Sequence, residues 1–224
     1  MQAHIKPKII LFDIDYVLID SSKLKEISSA KVAKILKISL IKMEKINEEF
    51  GKTLKTSKEF SPKKYAKFLA NYFNDSRISK KITPIFLKPK LYQQTLYSDI
   101  IPSLRKLKEK CWLGIYSEGT KEFQMAKLKL SGITDYFKKN LVFIYPDKTG
   151  KATRLVEKLG EIYFVDDNPR HIKDITATIG THPIWLKRGP KADTSETLTC
   201  PTILSLEELP KLEHVYETIL VTNH

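Results

Sequence analysis

The chain has 224 residues, and its 39 basic and 26 acidic side chains give a formal net charge of +13 at pH 7. This length can bury a sizeable core in one domain or in a domain that carries an insertion. The first residues include no apolar segment of signal-peptide length, and no run reaches the roughly 18 apolar residues of a membrane span. We therefore expect a soluble cytoplasmic protein without a membrane partner. Cys111 and Cys200 form no Cys-x-x-Cys pair, which argues against a disulfide framework or a zinc site.

The positive charge raises the hypothesis of nucleic-acid binding, because clustered cations gain affinity for phosphates by releasing counter-ions. Most of the basic residues, however, are lysines scattered along helix-like stretches. A nucleic-acid partner is therefore possible but not favoured. A small anionic substrate attracted by the overall field fits the same charge.

The first predicted element is a strand that ends in two acidic residues. Residues 9–12 form an apolar run with β-branched members, which is typical of a buried strand in a parallel sheet. Asp13 and Asp15 follow at its carboxyl end, where open α/β sheets bind ligands. Two like charges this close together favour a counter-ion, and Mg²⁺ prefers carboxylate oxygens. This strand end therefore predicts a metal-assisted reaction.

Residues 20–95 have a lysine-rich, helical pattern without a convincing buried strand. Ser61 and Pro62 are typical of a helix start, as N-cap and first-turn residue. An apolar stripe at helical spacing follows, made of Tyr65, Phe68, Leu69, Tyr72 and Phe73. We interpret the stripe as the core of a small helical bundle, with the wall of a substrate pocket as the alternative. A helical segment directly after the first strand suggests a lid.

Three further apolar runs end in polar residues. They are 112–116 before Ser117 and Glu118, 141–145 before Lys148, and 162–165 before Asp166 and Asp167. Helical patterns connect the runs, and Gly132 and Gly160 are expected to end two of these helices. Alternating strands and helices imply a parallel sheet, and right-handed crossovers bring the carboxyl ends of all strands to one edge. We therefore expect the polar residues to converge.

The remainder of the chain is expected to close the fold. Residues 183–186 predict a further strand, 188–199 a polar loop, and 205–212 a short helix. His171 and Asp174 are expected to face solvent on the helix that follows Asp167.

These motifs, in this order, resemble those of the haloacid dehalogenase superfamily, and specifically its phosphatase-like members with a helical cap after the first strand. The motifs are Asp13-Ile14-Asp15-Tyr16-Val17, Ser117, Lys148 and the pair Asp166-Asp167. The resemblance implies an α/β fold, with a Rossmann-like three-layer parallel sheet core and an inserted all-helical cap domain. The core would comprise residues 1–19 and 96–224, and the cap residues 20–95.

The resemblance also implies an activity, namely Mg²⁺-dependent hydrolysis of a small phosphorylated metabolite through an aspartyl-phosphate intermediate. Asp13 would be the nucleophile, and Asp15 the general acid and base. Asp166 and Asp167 would hold Mg²⁺ together with Asp13 and the main-chain carbonyl of Asp15.

Three further residues are expected to bind the substrate. Ser117 and the neighbouring Glu118 lie at one strand end, and Lys148, which we favour over Lys151, supplies a positive charge from another. Charge stabilisation and positioning of this kind account for most of the catalysis in phosphoryl transfer.

Two residues depart from the family pattern. Tyr16 stands where glycine or a small polar residue is common, which could narrow the pocket or alter the hinge of the lid. Val17 replaces a threonine and loses one hydroxyl. Asp15, which the dehalogenase branch lacks, argues for phosphate chemistry rather than cleavage of a carbon–halogen bond.

Two alternative functions stay open on the sequence alone. They are a phosphomutase and a non-catalytic nucleic-acid-binding or scaffold protein on this fold.

Overall fold

The computed structural model describes residues 7–212, and its central feature is one parallel sheet in the order β3-β2-β1-β4-β5-β6. The strands are β1 (Lys8–Phe12), β2 (Cys111–Glu118), β3 (Val142–Tyr145), β4 (Ile162–Asp166), β5 (Thr181–Leu186) and β6 (Thr202–Ile203). Helices flank this sheet, so the predicted Rossmann-like α/β fold is confirmed. Among residues 7–212, no helix is both long enough and apolar enough to cross a membrane.

The chain from the end of β1 to residue 99 is largely helical and contributes no strand to the sheet. Its helices are α1 (Ser21–Leu36), α2 (Leu40–Lys52), α3 (Pro62–Tyr72), α4 (Arg77–Ile82) and α5 (Pro89–Gln93). We call α1–α5 the helical segment. Ser61 caps α3 by accepting a hydrogen bond from the amide of Lys64 at 3.2 Å, and Pro62 occupies the first turn as predicted. The division into a cap of residues 20–95 and a core of residues 1–19 and 96–224 stays a prediction.

The other helices connect the strands. They are α6 (Ile100–Lys108), α7 (Lys121–Ser131), α8 (Ala152–Leu159) and α9 (Pro169–Thr176). Gly132 ends α7 in a left-handed conformation, with φ of 82°. Two elements differ from expectation: β3 begins one residue later because Leu141 belongs to a 3₁₀ turn, and residues Leu206–Lys211 form a 3₁₀ helix.

The strand β1 is buried on both faces of the sheet. Ile10 and Phe12 belong to a core that continues into the helical segment, whereas Ile9 and Leu11 belong to the core on the opposite face. This alternation follows from the two-residue period of a strand. Burying each side chain of this size contributes about 1.5–3 kcal/mol, which anchors β1 at the centre of the sheet.

The helical segment is joined to the sheet by two neighbouring stretches of chain, one at each of its ends. Ile19 forms an antiparallel bridge with Leu96, and the amide of Asp20 donates to the carbonyl of Thr95 at 2.8 Å. The carboxylate of Asp20 then caps α1 by accepting from the amide of Lys23 at 2.9 Å. The segment therefore leaves and returns beside the carboxyl end of β1.

Candidate active site

The carboxyl ends of the central strands come together because their registers are aligned. Phe12 of β1 pairs with Ile115 of β2 and with Val165 of β4. The amide of Asp13 donates to the carbonyl of Val165 at 2.9 Å, which extends this pairing by one residue. The polar residues that follow each strand therefore meet at one edge, as predicted. We call Asp13, Ser117, Lys148, Asp166 and Asp167 the floor of the site.

Asp13 is at the centre of the floor and is only 3% exposed. Its Oδ1 accepts hydrogen bonds from the Ser117 hydroxyl and from the amide of Ile14, each at 2.6 Å. Its Oδ2 accepts from Nζ of Lys148 at 2.6 Å. Residues from β1, from β2 and from the loop after β3 are thus in direct contact.

Lys148 is fully buried between two carboxylates. Its Nζ donates to Asp13 at 2.6 Å and to Oδ2 of Asp166 at 2.5 Å. The hydroxyl of Tyr116 holds the lysine backbone by donating to its carbonyl at 2.6 Å. Burial alone would lower the pKa of the Lys148 ammonium, but the charges of Asp13 and Asp166 outweigh burial and raise this pKa above its ordinary value. The side chain therefore carries a fixed positive charge.

The floor holds more negative than positive charge. Asp167 lines the cavity above the floor and is 5% exposed. Burial and the charges of Asp166 and Asp13 raise its pKa to about 8. A divalent cation that binds oxygen ligands fits these three carboxylates, because it would balance their charges and let Asp167 ionise.

His171 is buried, and our expectation that it faces solvent is wrong. Its Nδ1 is 3.4 Å from Oδ1 of Asp166, and its Nε2 is 3.2 Å from Oε2 of Glu118. Potential ligand atoms of Asp13, Asp166 and His171 lie within 4.8 Å of one another. The reason is local, since α9 begins directly after β4, and its first turn therefore lies against the strand ends. The Asn168-Pro169 helix start was the signal in the sequence.

Asp174, further along α9, is half-buried rather than facing solvent. Its carboxylate accepts a hydrogen bond from the amide of Gly150 at 2.9 Å and so ties α9 to the loop before α8. The predicted role of Glu118 in substrate binding stays a prediction. Its side chain is partly buried beside His171, and its backbone carbonyl accepts from Gln124 at 2.8 Å.

Asp15 is held by side chains that the sequence analysis did not identify. Nζ of Lys127 donates to its Oδ1 at 2.6 Å, Nε2 of Gln124 donates to its Oδ2 at 2.8 Å, and the Ser21 hydroxyl also donates to it. Burial would raise the pKa of this carboxyl, but the charges of Lys127 and Lys58 and these hydrogen bonds hold it below the ordinary value. Asp15 is therefore ionised at neutral pH.

Lys58 brings a further cation to the site from the helical segment. It lies in a short 3₁₀ turn, Ser57–Glu59, between α2 and α3. Burial would lower the pKa of its ammonium, but the charges of Asp13, Asp15 and Glu118 raise it. The side chain lines the same cavity as Asp13 and Asp15 and is positively charged there. Nothing in the loop sequence distinguishes it from the many solvated lysines.

A cavity of about 540 Å³ opens above Asp13 and Asp15. The side chains of the helical segment and of α7 form its walls, including Leu24, Asn47, Phe50, Leu54, Phe60, Tyr65, Phe86 and Phe123. Tyr16 also lines the cavity, in the left-handed conformation with φ of 58° that glycine adopts more readily. Its ring fills the space beside Gly189, where a Cβ would lie 2.7 Å from the ring.

Solved structures share this fold. A haloacid dehalogenase-like protein of Burkholderia xenovorans superposes with a TM-score of 0.72 at 19% identity, over 94% of this chain and 98% of that one. YfnB of Bacillus subtilis, a HAD protein solved bound to magnesium, gives 0.58 at 17% identity, over 94% and 99%. The L-2-haloacid dehalogenase of Xanthobacter autotrophicus, solved with chloropropionic acid covalently bound, gives 0.58 at 14%, over 95% and 100%.

No curated protein matches the sequence significantly, but one family model does. The family model for haloacid dehalogenase-like hydrolases matches residues 10–172, which include the floor, the helical segment and His171. The chain therefore belongs to the haloacid dehalogenase-like hydrolase family.

Proposed function

We propose that the protein is a Mg²⁺-dependent phosphomonoester hydrolase that works through an aspartyl-phosphate on Asp13. The observation that carries this proposal is the pair of carboxylates at the end of β1, with Asp13 in the floor and Asp15 two residues further on the cavity wall. We further propose that it acts in the cytoplasm on a small phosphorylated substrate, which we favour over a nucleic-acid partner.

Asp13, Asp166 and Asp167, with the main-chain carbonyl of Asp15, would hold Mg²⁺. The bound ion would neutralise charge on the phosphate and on the nucleophile. The excess of buried carboxylates in the floor supports this assignment, as does the fold shared with magnesium-bound YfnB.

The first chemical step is attack of the Asp13 carboxylate on phosphorus, which forms the acyl phosphate and breaks the bond from phosphorus to the leaving oxygen; this oxygen takes a proton from Asp15 and leaves as the alcohol. Ser117 and Lys148, which both contact Asp13, are placed to donate to phosphate oxygens as charge develops on them. Lys58, which lines the cavity, would add a further positive charge.

The second step is hydrolysis of the acyl phosphate, and Asp15 is the base that would accept the proton of the attacking water. Lys127 and Gln124 fix its carboxylate toward the cavity, and its ionised state is the one that a base requires. We also propose that Asp15 acts as the general acid. In that role its carboxyl must be protonated, whereas the charge of Lys127 lowers its pKa and favours the ionised form. The base role is therefore the better supported of the two.

Cleavage of a carbon–halogen bond is the second candidate function. The similarity in fold to a dehalogenase with chloropropionic acid covalently bound favours it, as do the apolar walls of the cavity. Asp15 and the carboxylate-rich floor favour phosphate chemistry instead. A phosphomutase and a non-catalytic scaffold remain alternatives from the sequence.

The test is release of inorganic phosphate from 4-nitrophenyl phosphate, measured with Mg²⁺ and with a chelator. We expect Asp13→Asn to lower kcat by about 10⁴-fold or more, as loss of a nucleophile does. Asp193→Asn, which changes an exposed aspartate of a loop, is the matched control and should retain activity.

Two other results would redirect the assignment. Release of chloride from 2-chloropropionate without phosphate release would favour the dehalogenase. Phosphorylation of Asp13, seen by intact-protein mass spectrometry but without net hydrolysis, would favour the mutase. Full phosphatase activity of Asp13→Asn would contradict the nucleophile assignment.

A further inference from the structure

We propose that the substrate is an aromatic phosphomonoester, in which the phosphate is attached to a flat ring system directly or through a short linker. This inference rests on the proposed function for the phosphate end of the ligand. The aromatic end rests on the walls of the cavity alone.

Besides Tyr16, five aromatic side chains line the cavity as one cluster, and Phe60 lies at its centre. Its ring centroid is 5.0 Å from that of Phe123, 5.9 Å from Tyr65, and 6.1 Å from both Phe86 and Phe50. These rings come from three helices, a 3₁₀ turn and a loop, so the cluster exists only in the folded protein. Tilted and edge-on rings at these distances are the arrangement that also receives a further aromatic ring.

The aromatic wall begins beside the expected position of the phosphate. Lys58, whose charge faces Asp13 and Asp15, is two residues from Phe60 in the same loop. The Thr120 hydroxyl, just past β2, donates to the carbonyl of Phe60 at 3.0 Å and fixes the loop over the floor. A ring attached close to the phosphate would therefore contact the wall. A nucleotide places its base further away, beyond the ribose.

Apart from Lys25 and Lys58, the polar side chains of the helical segment that line the cavity are already bonded within the protein. The Ser28 hydroxyl donates to the carbonyl of Lys25 at 3.0 Å. Asn47 donates to Ser29 at 3.0 Å and accepts from the Tyr65 hydroxyl at 2.5 Å. A sugar phosphate would bring several hydroxyls to these walls and leave most of them without partners, which is unfavourable in a buried site. An aromatic body has no such requirement.

The experiment compares phosphate esters whose leaving groups are all primary alcohols. Differences in kcat/KM then report on recognition of the organic part of the ester rather than on the reactivity of the leaving group. The esters are 2-naphthylmethyl phosphate, cyclohexylmethyl phosphate, glycerol 1-phosphate and glucose 6-phosphate. We expect kcat/KM with Mg²⁺ to be at least about tenfold higher for the naphthyl ester than for the other three.

Variants of the wall test the location of this recognition. Phe60→Leu, and independently Phe123→Leu, should lower the ratio of naphthyl to glycerol ester kcat/KM by about tenfold. Phe68→Leu is the matched control. The ring centroid of Phe68 is 5.1 Å from that of Phe50, but Phe68 does not line the cavity. Its ratio should stay within about twofold of the native value, and thermal melting checks that each variant is folded.

The outcomes separate this inference from the proposed function. Turnover of glucose 6-phosphate as efficient as that of the naphthyl ester, or no change of ratio in both wall variants, would overturn the inference while the hydrolase stands. If no ester is turned over, the proposed function fails. Calorimetric binding of 2-naphthylmethyl phosphate to Asp13→Asn then still tests whether the aromatic wall recognises the ring. Binding weakened by Phe60→Leu would support aromatic recognition, and absence of binding would overturn it.

Discussion

The floor and the walls of the cavity are built from different interactions. In the floor, Asp13, Lys148 and Asp166 are bound to one another by charged hydrogen bonds of 2.5–2.6 Å at the ends of sheet strands. The walls consist mainly of aromatic rings from the helical segment and from α7. Under our two proposals, the sheet would determine the reaction, and the side chains around it would determine which molecule undergoes it.

The largest expected effect comes from removing the only lysine that bridges two floor carboxylates among the described residues. Lys148→Met would leave the buried carboxylates of Asp13 and Asp166 without their cation, and breaking a buried ion pair in this way costs about 3–5 kcal/mol. We expect a loss of this size in the free energy of unfolding, measured by urea denaturation without Mg²⁺, together with loss of activity. Lys158→Met, on the exposed part of α8, is the control. An unchanged stability would contradict our account of the floor.

Binding of Mg²⁺ should strengthen as the pH rises, because Asp167 must lose a proton to become a ligand. Its pKa is about 8 in the folded protein. We therefore expect the affinity measured by calorimetry to increase by up to about tenfold per unit between about pH 6 and 8. Asp167→Asn should bind more weakly and lose this dependence. A flat affinity in the native protein would contradict the assignment of Asp167.

The same group makes stability depend on pH in the opposite sense when Mg²⁺ is absent. An unfolded aspartate has a pKa of about 3.9, so the fold favours the protonated form of Asp167. Its contribution to stability is complete below about pH 4 and is lost as the pH rises through about 8. Thermal melting in chelator should report this decline, which Asp167→Asn should reduce.

A smaller effect is expected for the cation that the helical segment contributes. Lys58→Met should raise KM for phosphate esters by about tenfold and change kcat less, because its positive charge lines the same cavity as Asp13 and Asp15. Lys55→Met, on an exposed residue just before the same turn, should leave KM unchanged. Equal effects of the two variants would indicate only the general attraction of a basic protein.

The smallest effect should come from an ion pair on the surface. Nζ of Lys63 in α3 is 2.9 Å from Oε1 of Glu122 in α7, and both side chains are 74% exposed. Solvent screens such pairs, so Lys63→Met should lower the free energy of unfolding by less than about 1 kcal/mol. A loss comparable to that of Lys148→Met would mean that this contact between the helical segment and α7 is cooperative with the core.

The fold and the floor could be predicted because local sequence patterns determine both. The strands β1 to β4 are apolar runs, and in a parallel sheet the polar residues at the carboxyl end of each run lie at one common edge. The positions of Asp13, Ser117, Lys148 and Asp166 follow from this rule without knowledge of tertiary contacts.

The remaining residues could not be predicted, because they reach the site from helices and loops. Lys127 is 3% exposed on α7, but its spacing does not distinguish it from solvated lysines. His171 is the exception, because the Asn168-Pro169 helix start directly after β4 was a local signal for its position that our prediction did not use. Phe60, Phe86 and Phe123 lie in separate segments, and only the tertiary fold brings them to one wall.

The contact between Tyr16 and Gly189 links two positions that are distant in the sequence. Any larger residue at 189 would collide with the ring of Tyr16, since its Cβ would lie 2.7 Å from that ring. The two residues that follow Gly189, Pro190 and Lys191, also line the cavity. In the evolution of this protein, a bulky residue at position 16 and glycine at position 189 are therefore expected to be inherited as a pair, and a change at either one to be accompanied by a change at the other.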